Sequence, residues 1–121
     1  MQQPTLIRKR DDMLRRVRSR LHDGEGDIRQ TVLLDGEALQ GRKVNFIFDN
    51  VLPPGASIGA HDHRGVDEEY YLILAGSGTM TLDGKIYEVG PGDITAVFPG
   101  GQHDLVNTGR GDMRVLVISV A

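Results

Sequence analysis

No cysteine occurs among the 121 residues, which excludes disulfides, thiolate metal sites and cysteine nucleophiles together. Any bound metal must therefore be held by nitrogen and oxygen. There is no run of twenty apolar residues and no apolar stretch after Met1, so neither a membrane span nor a signal peptide is expected, and the cytoplasm is the expected location. Aromatic residues make up only 5% of the chain, and none precedes Phe46. A net charge of -3 hides an asymmetry. Residues 1–22 carry seven arginines and lysines against two aspartates, about +5, which leaves the rest at about -8. An acidic body argues against nucleic acid as partner, because phosphate binding needs a basic face on the folded domain. A chain of this length, 39% hydrophobic and 26% charged, reads as one domain with a core of its own.

What the chain does have is concentrated between Gly55 and Gly76. His61 and His63 are one residue apart, and on a strand such residues share a face because side chains alternate with period two. After the turn RGVD, the run Glu69–Ala75 reads as a strand with Glu69, Tyr71 and Ile73 on one face. If these two strands pair as a hairpin, Glu69 lies opposite the histidines. A third imidazole follows at His103. Convergent imidazole nitrogens and a carboxylate oxygen suit a borderline divalent metal. Burying such groups without one would leave several donors and acceptors to satisfy. The expected ligand set for one divalent ion is therefore His61, His63, Glu69 and His103.

These residues resemble the first cupin motif, G-x5-H-x-H-x(3,4)-E-x6-G, at Gly55, His61, His63, Glu69 and Gly76. The loop between His63 and Glu69 is one residue longer than the motif allows. Glu68 would restore that count, but it breaks the spacing to Gly76 and faces the other way, so Glu69 is preferred and Glu68 is the fallback. The second motif, G-x5-P-x-G-x2-H-x3-N, is matched at Gly92, His103 and Asn107, with Pro99 one place late. The resemblance implies an all-β, double-stranded β-helix (jelly-roll) barrel binding one divalent metal. Fe, Mn, Ni and Zn all remain open.

Four protein ligands, one of them a carboxylate, leave a dication near +1 with open positions, which favours a small anionic or oxygen-rich ligand. Proteins that look like this include dioxygenases, decarboxylases, isomerases and lyases, so a metal-dependent enzyme is the leading reading. A non-catalytic module binding a sugar or organic acid is the alternative. Tyr71, two residues past Glu69, faces the same cavity. A phenol beside a metal could orient substrate or act as acid or base, and it is the candidate catalytic residue, against a packing role. Asn107 is a candidate to support His103. Resemblance to small cupins also implies a homodimer, with the N-terminal arm adding a strand to its neighbour.

In chain order, residues 1–9 form an arm or edge strand. Met13, Leu14, Val17 and Leu21 fall at helical spacing, with Asp11/Arg15 and Asp12/Arg16 four apart. This predicts a short N-terminal helix over Asp11–Leu21, packed on the barrel by a narrow apolar stripe. A membrane or RNA role for it is set aside, since the stripe lacks interfacial aromatics. His22 has no motif partner and reads as a surface residue. The expected division is an arm and helix over residues 1–27 and a barrel over 28–121. Strands are expected at Ile28–Leu34, Lys43–Leu52, Thr79–Leu82, Lys85–Val89, Ile94–Phe98, His103–Asn107 and Met113–Val120. Asp83-Gly84 makes a two-residue hairpin turn, and Phe46 and Phe48 fill core. Gly76-Ser77-Gly78 leads into a strand, so it is no phosphate loop.

Overall fold

The computed structural model describes residues 4–62 and 65–121. Among these residues, ten strands form two sheets: β1 (Leu14–Ser19), β2 (Asp27–Leu34), β3 (Val44–Leu52), β4 (Ser57–Asp62), β5 (Glu68–Ala75), β6 (Gly78–Leu82), β7 (Lys85–Val89), β8 (Ile94–Val97), β9 (Gln102–Val106) and β10 (Met113–Val120). One sheet has the order β1-β2-β3-β10-β5-β8 and the other β4-β9-β6-β7, and every pairing is antiparallel. This is the expected all-β jelly-roll architecture.

Alternation builds the inside. On β10, Met113, Val115, Val117 and Ser119 are buried and their neighbours less so, and β5 contributes Glu69, Tyr71 and Ile73 by the same rule. The antiparallel register sets Val115 against Ile73, Val117 against Tyr71 and Ser119 against Glu69, so one inward row runs across both strands. Ile58 and Leu105, paired on β4 and β9, close the core from the opposite sheet together with Met80. Asp83 and Gly84 both have positive φ, the pair of left-handed residues a tight hairpin turn requires, and the β6–β7 hairpin falls where Asp-Gly placed it. Gly76 ends β5 at φ +77°, where a side chain would also meet the Asp112 carbonyl.

The expected N-terminal helix is not formed. Among the described residues the helical pieces are three 3-10 turns, at Arg10–Asp12, Leu21–Asp23 and Gly36–Leu39, and the segment between the first two is strand β1. An isolated helix of about three turns is marginal in water, and each Asp/Arg pair adds only about 0.2–0.5 kcal/mol. Pairing with β2 from Leu14↔Val32 to Ser19↔Asp27 gives the backbone a full ladder instead. The apolar stripe was coincidental, for Leu14 and Val17 are both more than half exposed. The β4–β5 hairpin is also absent, because β4 pairs with β9 while β5 lies in the other sheet.

Asn107 proves to be a fold residue. Buried to 2% exposure, its amide donates to the carbonyls of Leu52 and Gly111 at 2.8 and 2.9 Å, and its oxygen accepts from the Gly109 amide at 2.9 Å. It ties the 108–111 turn to the end of β3. Asn107→Leu should cost about 2–3 kcal/mol, because one buried carbonyl, one partly buried carbonyl and an amide lose their partner. A urea midpoint unchanged from wild type would contradict this.

Candidate metal centre

His61 and His103 stand opposite each other in the β4–β9 ladder, and Glu69 reaches them from β5 in the facing sheet. The inward position of His61 needs explanation. Ile58 and His61 are three residues apart, so on a regular strand they would face opposite ways. The register shifts between them: Ile58 pairs with Leu105 and His61 with His103, three residues on β4 against two on β9. This bulge at Gly59-Ala60 returns both side chains to the inside.

The donor atoms form a tight triangle. His61 Nε2 lies 3.0 Å from His103 Nε2, Glu69 Oε1 is 3.3 Å from His103 Nε2, and the third side is 3.8 Å. The point equidistant from three such corners is about 2.0 Å from each, the length of a metal–imidazole or metal–carboxylate bond. His61 Nδ1 sits 2.9 Å from the Gly59 carbonyl, a donor contact that fixes the tautomer and leaves the Nε2 lone pair facing the triangle. His103 is 1% exposed and Glu69 7%. The three residues can hold one metal ion. Of the two adjacent glutamates, Glu69 faces the imidazoles, while Glu68 accepts a hydrogen bond from Tyr70 at 3.1 Å on the other face. His63 lies outside the described residues.

Tyr71 is buried, with its ring 4.7 Å from that of His103. Burial, reinforced by the charge and hydrogen bond of Glu69, pushes its phenol well above the ordinary value. The group is therefore a proton-bearing donor to Glu69 in this environment rather than a phenolate.

His22 is exposed, as expected of a surface residue, but it is not without a partner. Its ring stacks on His61 at 3.8 Å between centroids and 15° between planes. Arg20, His22 and Asp23 all adopt left-handed φ, from 49° to 63°, and non-glycine residues held there cost of order 1–3 kcal/mol each. No spacing rule could have found His22, because left-handed backbone in that turn sets its direction. The turn presses on β4 so closely that a side chain at Gly59 would strike the His22 carbonyl, and one at Gly24 the Ser57 carbonyl.

Beside this group lies a cavity of about 170 Å³, lined among others by Arg16, Arg18, His22, Glu69, Tyr71 and Phe48. Phe46 and Phe48, expected as core, pack against it from one side but also form the cavity wall. A larger hollow of about 850 Å³, between residues 4–8 and the Glu37–Arg42 region, shares no residue with the His–Glu group.

The profile of the cupin domain family matches residues 49–119. The chain belongs to the cupin family. It is 33% identical over 102 residues to an oxalate-binding protein of Thermotoga maritima, an alignment covering 84% of this chain and 83% of that one. A crystal structure from Thermotoga maritima, described as a predicted oxalate decarboxylase, superposes with a TM-score of 0.87 at 29% identity, covering 95% of this cupin and 98% of that chain. The polyketide cyclase RemF of Streptomyces resistomycificus shares the fold, with a TM-score of 0.73 at 22% identity over 96% of this chain and 79% of its own.

Because β4 tolerates no side chain at Gly59, Gly59→Ala should displace the His22 turn and with it the ring on which His61 rests. The expected result is a loss of about 1–3 kcal/mol in stability and a metal affinity lowered by about tenfold or more. Urea denaturation and metal titration check the two effects separately.

Proposed function

We propose that this cupin holds one divalent metal through His61, His63, Glu69 and His103 and binds a small organic anion at it. The observation that carries this reading is the triangle of partly buried His61 with buried His103 and Glu69, whose sides fit a single ion. The similarity to an oxalate-binding protein supports a carboxylate as the anion. When bound, the metal would supply Lewis-acid attraction for carboxylate oxygens. Fe, Mn, Ni and Zn all accept such donors.

Catalytic turnover is the favoured form of the proposal, with Tyr71 as the residue that serves it. Its phenol holds a proton at the cavity wall, next to Glu69, where it can be handed to an atom of the ligand that gains negative charge as a bond breaks. Loss of carbon dioxide from a carboxylate requires such a proton. Binding without turnover is the second reading, favoured by the name of the Thermotoga maritima relative. Incubating the metal-loaded protein with oxalate separates the two: release of carbon dioxide and formate supports catalysis, whereas oxalate retained and recovered unchanged supports the binding module.

Metal binding itself is tested by elemental analysis of protein purified without a histidine tag. About one equivalent is expected in wild type and little in His61→Ala or His103→Ala. Wild type that takes up none of the four ions would overturn the proposal.

A cytoplasmic homodimer completes it. Leu6 and Ile7, 55% and 78% exposed on the N-terminal arm, are apolar groups a second copy would cover. Deleting residues 1–9 should halve the mass measured by light scattering. An unchanged mass would remove the arm from the interface.

A further inference from the structure

The cavity beside the His–Glu group has a second charged end. Arg16 and Arg18 of β1 line it together with Glu69. Three other arginines meet acids: Arg10 and Arg114 share Asp49, and Arg29 meets Asp112. Among the described residues neither Arg16 nor Arg18 has a carboxylate partner. Arg16 is held by neutral groups instead. Its Nε donates to Gln30 Oε1 at 2.7 Å, Gln30 Nε2 donates to Asn50 Oδ1 at 2.9 Å, and the guanidinium carbon lies 5.4 Å from the centre of the Phe48 ring. Gln30 and Asn50 are 3% and 2% exposed.

Burying two amides inside a small barrel is unfavourable unless they are hydrogen-bonded, and here their chain of bonds ends on the arginine. The chain fixes Nε and leaves Nη1 and Nη2 without a protein hydrogen bond among the described residues. That leaves the end of a planar fork, already oriented, which suits one carboxylate. The cavity is also small. About 170 Å³ falls well below the ~300–1,000 Å³ of pockets for drug-sized ligands, and equals roughly six water molecules' share of liquid volume.

We propose that Arg16 determines the specificity of this cavity and that its ligand is a short dicarboxylate, one carboxylate at the His61–Glu69–His103 end and the other on the Arg16 fork. Placing the first carboxylate rests on the metal reading above, whereas the role of Arg16 rests on the cavity wall alone. Arg18 adds a second positive charge to the same wall.

The test compares ligands that differ by one carboxylate. Fumarate and crotonate share a rigid trans carbon chain, and the two carboxylates of fumarate cannot both reach one metal ion. Any preference for fumarate therefore reports a second anion site. Malonate can chelate one ion through both carboxylates, so malonate and propionate make a smaller pair on metal-free protein. Calorimetric titrations of fumarate and crotonate on the manganese-loaded protein, and of malonate and propionate on the metal-free protein, should show wild type binding the dicarboxylate of at least one pair about tenfold more tightly or better, as expected for hydrogen bonds between charged groups. Arg16→Met should bring the preference to within about twofold while retaining one equivalent of metal and the wild-type melting temperature. Arg16→Lys, which keeps the charge but not the fork, should restore part of it and guards against a folding defect in the methionine variant.

A preference in wild type that survives Arg16→Met, or none for either dicarboxylate, overturns the inference. Repeating the fumarate and crotonate titrations on metal-free protein separates the two readings. No metal uptake together with an Arg16-dependent dicarboxylate preference sinks the metal proposal and leaves this one standing.

Discussion

Glu69 meets His103 across the gap between two sheets, and the interior is arranged around that contact. Both side chains are almost fully buried, and polar groups withdrawn from water must be satisfied where they lie. Each satisfies part of the other, with His61 and the Tyr71 phenol completing the cluster. An ion at the centre of the triangle would meet the lone pairs of both imidazoles, which otherwise stand 3.0 Å apart with one forced to act as donor. The barrel interior divides accordingly. One part is apolar, with Ile28, Leu52, Ile73, Met80, Leu105 and Met113, while the other holds Glu69, the histidines, Gln30 and Asn50.

Precision at the polar end comes from backbone irregularities. The bulge at Gly59-Ala60 turns His61 inward, and the left-handed turn of residues 20–23 lays His22 over it. The two devices depend on each other, since the His22 carbonyl occupies the space that a side chain on Gly59 would need. A strained turn persists only where its surroundings over-determine it. Here the close backbone approach of Gly24 and Gly59 does so.

Where physics is local, the sequence was legible. Alternation located β3, β5, β9 and β10 to within a residue or so at most ends, and Asp83-Gly84 marked its hairpin because both positions need positive φ. The facing of Glu69, Tyr71 and Ile73 also followed from period two alone. What failed was non-local. Arg16 and Arg18 sit on a segment whose residues admit helical spacing, and only pairing with β2 decides in favour of a strand. Whether β5 lies beside β4 or across from it depends on the topology of two sheets, which no spacing within Gly55–Gly76 specifies. His22 was missed for the same kind of reason, its direction being set by turn geometry and not by pattern.

The same pairing gives the basic N-terminal segment its meaning. β1 is the edge of its sheet, and charges on edge strands, including inward-pointing ones, commonly guard against unwanted strand pairing. Arg15 and the positions of β1 outside the cavity wall need no further explanation than that. Arg16 does, because guarding an edge requires only a charge and no fixed orientation. A freely solvated arginine would serve equally well and would not draw two buried amides into the core. The Asn50–Gln30–Arg16 chain spends interior volume on holding one guanidinium still at the cavity wall. Pre-organisation of this kind strengthens binding by removing the entropy of ordering the side chain when the ligand arrives. The cost of a buried amide pair is therefore better matched to ligand recognition than to protection of the edge.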